Sequence, residues 1–153
     1  MNIGYKKLQN GYIAELEILG KTNENRRHIE NPQYAKYRTS KVKVLKIFKN
    51  ERRGIKQMNG LYDKNFVYGV GKEIHVANYD ENMNNVCSQG IHYFKTLEQA
   101  KMWKLNLDNY TGKYIEWYDN GNKWYEREYK DGKEEEEKWI GWYENGTKMD
   151  YMI

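Results

Sequence analysis

Cys87 and His92 are the one pair in this chain that could couple a thiol nucleophile to a neighbouring base. On an extended segment, five residues apart, the two side chains would point to opposite faces unless Ser88-Gln89-Gly90 turns sharply. A buried structural cysteine is the simpler reading. His92, between Ile91 and Tyr93 at the start of an apolar run, reads as a hydrogen-bonded structural histidine. His28, His75 and His92 show no metal-ligand spacing and no cysteine cluster joins them, so neither a metal nor a cofactor is expected. Gly69-x-Gly71 lacks the third glycine and the following helix of a dinucleotide site, and reads as a bend. No catalytic set assembles, and the expectation is a protein that is not an enzyme. Arg38 stands apart. It precedes a well-patterned strand and is the best candidate for a buried ionic or binding role, with Glu15 or Glu17 as possible partners.

The elements that position these residues are mostly short and β-like. Tyr12 to Leu19 alternates loosely and stops at Gly20. Residues 21–36 are polar, contain Pro32 and read as a surface excursion. Ser40 to Phe48 is a second strand, with Val42 and Val44 on one face and Lys41 and Lys43 on the other. Its parity changes at Leu45 and Ile47, which predicts a bulge or a strand covered on both sides. Asn50 to Gly60 looks like a charged loop. Phe66-Val67-Tyr68 and Glu73-Ile74-His75-Val76 flank the glycine bend, 77–89 is a polar loop, and Ile91 to Phe94 is a strand. Thr96-Leu97-Glu98-Gln99 is a capping box. Leu97, Ala100, Trp103 and Leu107 follow at helical spacing, predicting one main helix over about 97–106.

Composition bounds the class. A chain of 153 residues suits one domain, or one domain with a small appendage. Only 39% is hydrophobic, yet 15% is aromatic, and disordered chains are poor in aromatics. A fold using Tyr and Trp bodies with their polar ends at the surface is expected. One cysteine fits a reducing compartment. No apolar run approaches the roughly 18 residues of a membrane span and no signal-peptide pattern opens the sequence, so a soluble, cytoplasmic protein is expected. The net charge of +4 is unevenly spread. Residues 36–56 carry nine Lys/Arg against Glu51, whereas 113–150 carry seven basic and eleven acidic side chains. That basic segment is either a polyanion-binding face or a solvated strand.

The tail repeats itself. Ile115-Glu116-Trp117-Tyr118-Asp119-Asn120-Gly121-Asn122-Lys123 returns 25 residues later as Ile140-Gly141-Trp142-Tyr143-Glu144-Asn145-Gly146-Thr147-Lys148, with Asp131-Gly132 between them. Asn-Gly and Asp-Gly between alternating runs signal hairpins. Two-residue loops at all three would give a four-stranded antiparallel meander of two repeated hairpins, docked on the preceding domain. Its register would pair Trp117 with Trp124, Tyr114 with Arg127, Trp124 with Trp139, Tyr125 with Lys138, Arg127 with Glu136, Trp139 with Met152 and Trp142 with Met149. It would also set Glu126 against Glu137 and Glu128 against Glu135. Those like-charge pairs predict fraying, or a bulge within Glu134–Glu137.

Two resemblances follow from these motifs. Trp117-Tyr118-Asp119-Asn120-Gly121, Tyr129-Lys130-Asp131-Gly132-Lys133 and Trp142-Tyr143-Glu144-Asn145-Gly146 make residues 112–150 resemble MORN repeats of the variant, antitoxin-like kind. The resemblance implies a spacer or binding surface. Tyr37 to Leu45, Phe66 to Lys72 and Cys87 to Ala100 make residues 11–105 similar to an uncharacterised domain family of large DNA viruses of amoebae and of phages. That resemblance implies a viral protein, acting in the host cell or virion, with a boundary near 110 between a 1–110 domain and a 111–153 repeat tract.

The fold class expected is thus α+β, mostly β, with a mixed or antiparallel sheet, one main helix and a C-terminal meander. The favoured function is a non-enzymatic module that binds a protein partner through an aromatic β-surface. Candidate binding residues are Arg38, Lys41, Lys43, Tyr118, Tyr125 and Tyr143. One alternative is an enzyme, because Gly90-Ile91-His92-Tyr93-Phe94 before a helix is similar to a strand of the ADP-ribosyltransferase fold. A cleft uniting Arg38, Tyr68, Cys87 and His92 would support it. Another is nucleic-acid binding through 36–56. Self-association through an edge strand at 147–152 is a further expectation.

Overall fold

The computed structural model of the chain describes residues 1–26, 36–50, 52–85 and 88–149. His28, Pro32 and Cys87 lie outside them. The chain divides into two compact units between Lys101 and Met102.

In the first unit, β1 (Ile3–Lys7), β2 (Ile13–Ile18), β3 (Lys36–Thr39), β4 (Lys41–Lys49) and β5 (Arg52–Ile55) join β8 (Glu73–His75) and β9 (Ile91–Phe94) in one seven-stranded sheet. The order is β3-β9-β1-β2-β4-β5, with β8 also on β4, and every pairing is antiparallel. β6 (Gln57–Asn59) and β7 (Val67–Gly69) form a separate two-stranded ribbon. Alternation places Leu16, Ile18, Val42, Val44, Ile91 and Tyr93 on one face, where Tyr68 of β7 and Met58 of β6 pack against them. Gly4 is required there, because the Tyr93 ring lies 2.6 Å from where its Cβ would stand.

The bulge expected in β4 is at Leu45. Glu15 pairs with Lys46 and Leu16 with Val44, leaving Leu45 without an opposite residue and returning Ile47 to the buried face. Two short strands, β5 and β6, occupy the stretch that reads as a charged loop. The excursion after Gly20 begins by returning to the sheet: Thr22 bridges Thr39, and Asn23 is fully buried.

The expected main helix is absent. The structure is mostly β, and α1 (Leu97–Met102) is a turn and a half that holds only Gln99 and Ala100 buried. Its start is the expected capping box: Gln99 N donates to Thr96 Oγ1 and Thr96 N to Gln99 Oε1, both at 3.2 Å. Its end comes early because Lys104 turns into the left-handed region at φ 54°. Asn106 then accepts the Asp108 N–H at 2.9 Å, a local turn that competes with continued helix.

In the second unit, β10 (Gly112–Trp117), β11 (Lys123–Lys130) and β12 (Lys133–Gly141) form a three-stranded antiparallel sheet. A Trp142–Lys148 bridge is what the described residues show of the expected fourth strand, and Met152 lies outside them. Ile115 and Trp117 are buried on one face, with Met102 against them.

The turns differ in kind, and this corrects the register. Asp131 (φ 50°) and Gly132 (φ 83°) are both left-handed, a two-residue turn, and Lys130 pairs with Lys133 as expected. At the Asn-Gly sites only the glycine is left-handed. Gly121 N donates to Tyr118 O at 3.0 Å and Tyr118 N to Asn122 O at 2.8 Å, a three-residue loop closed by a glycine bulge. The Tyr143–Thr147 turn repeats this geometry. Trp117 therefore faces Lys123 rather than Trp124, and a further shift between Glu116 and Trp117 returns Tyr114 to Arg127 as expected. Likewise Trp142 pairs with Lys148, not Met149.

β11 and β12 depart further. Glu128 faces Glu135, as expected, but the register then shifts so that Glu126 meets Ile140 and Tyr125 meets Gly141. The Trp124–Trp139 and Tyr125–Lys138 pairs do not form, and the Glu136 side chain expected against Arg127 lies outside the described residues. The bulged stretch of β12 avoids the Glu126–Glu137 pairing. Lys138 Nζ lies 3.6 Å from Glu128 and 3.1 Å from Glu135, relieving the remaining like-charge pair.

The turn geometry gives a stability test. A Cβ at Gly132 would stand 2.8 Å from Asn109 N, whereas one at Gly121 meets nothing within 4 Å. Both sites carry a left-handed penalty of about 1 kcal/mol for alanine. Gly132→Ala is expected to lose clearly more, about 2 kcal/mol or above, in urea unfolding. Equal losses at the two sites would contradict these turns.

Candidate functional site

Arg38 lies on β3 opposite His92 of β9, on the sheet face away from Tyr68. β9 and β1 separate its strand from Glu15 and Glu17 on β2. The guanidinium is fully buried and is met by main-chain carbonyls. Nε donates to Asn85 O at 2.7 Å, Nη1 to Asp80 O at 2.6 Å and Gln89 O at 3.1 Å, and Nη2 to Asn82 O at 2.7 Å. Its carbon lies 5.0 Å from the centre of the Tyr79 ring. The arginine thus ties down the polar loop before β9.

The loop is braced from inside by Asp80. The Asn85 amide and the Ser88 hydroxyl donate to its carboxylate at 2.9 and 2.6 Å, and Asn82 N donates at 2.9 Å. These bonds hold the Asp80 carboxyl down at about 2, well below the ordinary aspartate value. Asn23 completes the strand edge: its Oδ1 accepts Arg38 N at 2.8 Å and its own N donates to Arg38 O at 3.3 Å.

A second polar group lies on the other face of β9. Tyr93 donates to Glu24, which also accepts from Asn2 at 2.9 Å and Lys95 at 2.7 Å. Burial works against the Glu24 charge, but these donors outweigh it and hold the carboxyl below its usual range. Lys6 donates to His92 O at 2.9 Å, and burial followed by the nearby Lys36 charge lowers its amine to about 8. Arg38 and His92 are register partners on one face while Tyr68 lies on the other, so the described members of the enzyme set do not all converge. Among the described residues no group of three His, Cys, Asp or Glu is placed to hold a metal ion.

The basic strand is paired with acids that are remote in sequence. Lys41 Nζ lies 3.0 Å from Glu73, and Lys46 lies 4.0 Å from Glu15. Lys43 faces Glu17 on β2 and Glu73 on β8. Lys41 and Lys43 therefore belong to a mixed-charge ladder across β2, β4 and β8, not to a uniformly cationic face.

The aromatic residues of the tail form a continuous row. Tyr118 lies 5.9 Å from Trp124, which lies 4.9 Å from Tyr125. Tyr125 lies 6.4 Å from Tyr114, Tyr114 6.2 Å from Tyr129, and Tyr129 6.4 Å from Tyr110, all between ring centres. All six rings are half-buried. Glu116 lies among them and accepts the Tyr114 hydroxyl at 2.6 Å. Burial, reinforced by Glu116, raises the Tyr114 and Tyr125 hydroxyls above their ordinary range, so both stay protonated donors. Arg127 covers the Tyr125 ring at 4.5 Å and pairs with Glu134 at 3.0 Å. Tyr143 is more exposed, at 48%, and lies in the second Asn-Gly turn. Counting aromatics along the sequence suggests such a surface. It includes Tyr129 but misses Tyr110, which lies before β10 and joins the row against the Tyr129 ring.

Fold and sites together define a small antiparallel β protein with a braced polar loop and an aromatic sheet face. The chain belongs to a family of unknown function, DUF5758, whose family model matches residues 1–100. No curated protein and no solved structure matches the chain significantly.

Two outcomes test the arginine cradle. Arg38→Met leaves the carbonyls of Asp80, Asn82, Asn85 and Gln89 without these donors and is expected to cost about 3 kcal/mol or more in urea unfolding. Arg38→Lys is expected to rescue little, since an ammonium cannot reproduce the planar fork; a loss below about 1 kcal/mol in either variant would contradict the cradle. The Asp80 charge favours the folded loop, so its contribution is complete above about pH 4 and is lost as pH falls toward 2. The Asn82 amide resonance should accordingly titrate with a midpoint near 2, and a midpoint near 4 would remove the bracing.

Proposed function

We propose that this chain is a non-enzymatic interaction module that binds a protein partner through the ring row of its C-terminal sheet. The observation that carries this reading is the unbroken, half-exposed run from Tyr118 through Trp124, Tyr125 and Tyr114 to Tyr129 and Tyr110. Rigid aromatic side chains with polar tips lose little entropy on binding and are enriched where protein interfaces gain most of their energy. Glu116 and Arg127 within the row supply one acid and one cation for orienting the partner. Of the residues singled out in the sequence, Tyr125 is central to the row, Tyr118 ends it, and Tyr143 lies on the neighbouring turn. Arg38 serves the fold in this reading. The repeated Trp-Tyr-x-Asn-Gly phrase supports a MORN-variant tract, and the resemblance of the front unit supports a viral protein acting in the host cytoplasm or virion.

Nucleic-acid binding through 36–56 is the weaker reading, because Lys41, Lys43 and Lys46 already face Glu15, Glu17 and Glu73. Among the described residues, no helix is long and apolar enough to cross a membrane.

Affinity capture from the native cell, read by mass spectrometry, tests the proposal. Tyr125→Ala with Tyr129→Ala is expected to weaken recovery of the captured protein at least about tenfold at unchanged fold, the scale of losing aromatic anchors. Lys41→Glu with Lys43→Glu should leave recovery unchanged. The reverse pattern, with salt-sensitive nucleic acid in the captured material, would replace the protein-binding reading by the polyanion one.

A further inference from the structure

The two Asn-Gly turns are built alike but are not used alike. In both, the asparagine Oδ1 accepts the N–H two residues on at 2.9 Å, Asn120 from Asn122 and Asn145 from Thr147. In the first turn the remaining donors reach outward. Tyr118 Oη donates to Trp142 O at 2.8 Å, Asn120 Nδ2 to Glu144 O at 2.8 Å, and Asn122 Nδ2 to Glu144 O at 2.9 Å. These bonds fasten the first turn to the second, 25 residues along in the repeat. The second turn carries two of the same three donors at the matching places, Tyr143 and Asn145, with Thr147 where the first has Asn122. Among the described residues no partner meets the Tyr143 hydroxyl or the Asn145 amide, and Tyr143 is 48% exposed.

We infer that the second turn is a docking site for the first turn of a second copy of this chain. The in-chain contact specifies what fits: the carbonyl edge of a Trp-Tyr-x-Asn-Gly turn. In the copy, the residue matching Trp142 is Trp117, so Tyr143 Oη donates to Trp117 O of the partner copy, as Tyr118 Oη donates to Trp142 O within one chain. β10, which ends in Trp117, is an end strand of the described three-stranded sheet. The contact is head-to-tail, using one surface on each copy, and it propagates the 25-residue repeat from chain to chain. It uses the turn end of the sheet and does not depend on the ring row binding a protein.

Sedimentation velocity of the full chain, from micromolar to about millimolar concentration, tests the inference. The average mass is expected to rise with concentration. Tyr143→Phe combined with Asn145→Asp keeps the turn's Oδ1 acceptor but removes both outward donors, and should weaken association about tenfold, the scale of two neutral hydrogen bonds. Thr147→Asn restores the third donor and should tighten association about fivefold, one further bond. Far-ultraviolet circular dichroism checks that each variant folds. A chain that stays monomeric to millimolar concentration with and without Thr147→Asn overturns the inference. So does association indifferent to the Tyr143 and Asn145 substitutions.

Discussion

The structure of the first unit depends on one buried cation. Arg38 carries its charge into a fully shielded position, and the oxygens around it belong to main-chain carbonyls of a single loop. An unpaired buried charge would cost several kcal/mol, so the loop must close whenever the sheet forms. The reverse also holds. Tyr79-Asp80-Glu81-Asn82-Met83-Asn84-Asn85 has little apolar surface and could not fold over the sheet by hydrophobic burial. Four directed carbonyl bonds replace that missing driving force. The charge is thereby converted from a liability into the element that orders a polar segment.

This explains which features were legible in the sequence and which were not. Local rules were readable: the capping box at Thr96–Gln99, the bulge at Leu45 and the tight Asp131-Gly132 turn are each fixed by residues close in sequence or by alternation. The Asn-Gly turns were misread because the dipeptide suits two loop lengths. Either both residues adopt positive φ, or glycine alone does so after a type I turn, and only neighbouring strand geometry decides. The helix was overextended because Trp103 and Leu107 satisfy its period, while Lys104 and the Asn106–Asp108 turn end it locally. β1 was missed for a similar reason. Ile3-Gly4-Tyr5-Lys6-Lys7 has a glycine and two lysines where a strand pattern wants apolar residues, and Gly4 is there to admit the Tyr93 ring.

Charge counted along the chain differs from charge as the sheet arranges it. A count along 36–56 finds a basic segment, but a strand's electrostatic neighbours are two other strands. Lys41, Lys43 and Lys46 meet Glu15, Glu17 and Glu73 from parts of the chain that a window never joins. The acidic stretch of β12 is offset by nearer neighbours, with Arg127 paired to Glu134 and Lys138 to Glu135. In a sheet built largely from non-adjacent pairings, net charge per segment predicts little about the field at the surface.

The tail adds a constraint of a different type. Its turns are held side by side by hydrogen bonds spanning 22 to 24 residues, close to the repeat length, so each copy of the phrase presents donors on one side and carbonyls on the other. Such a unit is directional. It cannot satisfy itself, because the donor side of one copy is complemented by the acceptor side of the next. Among the described residues, two copies therefore leave the Tyr143 and Asn145 donors of the second turn without a protein partner. The polarity of the array follows from two residue types, a tyrosine and an asparagine two places after it, held by a glycine that lets the backbone turn. The ring row meets this array at Tyr118, whose ring ends the row and whose hydroxyl fastens the turns, while the other five rings take no part in the polarity. Recognition through the face and propagation through the turns are thus separable properties of one sheet.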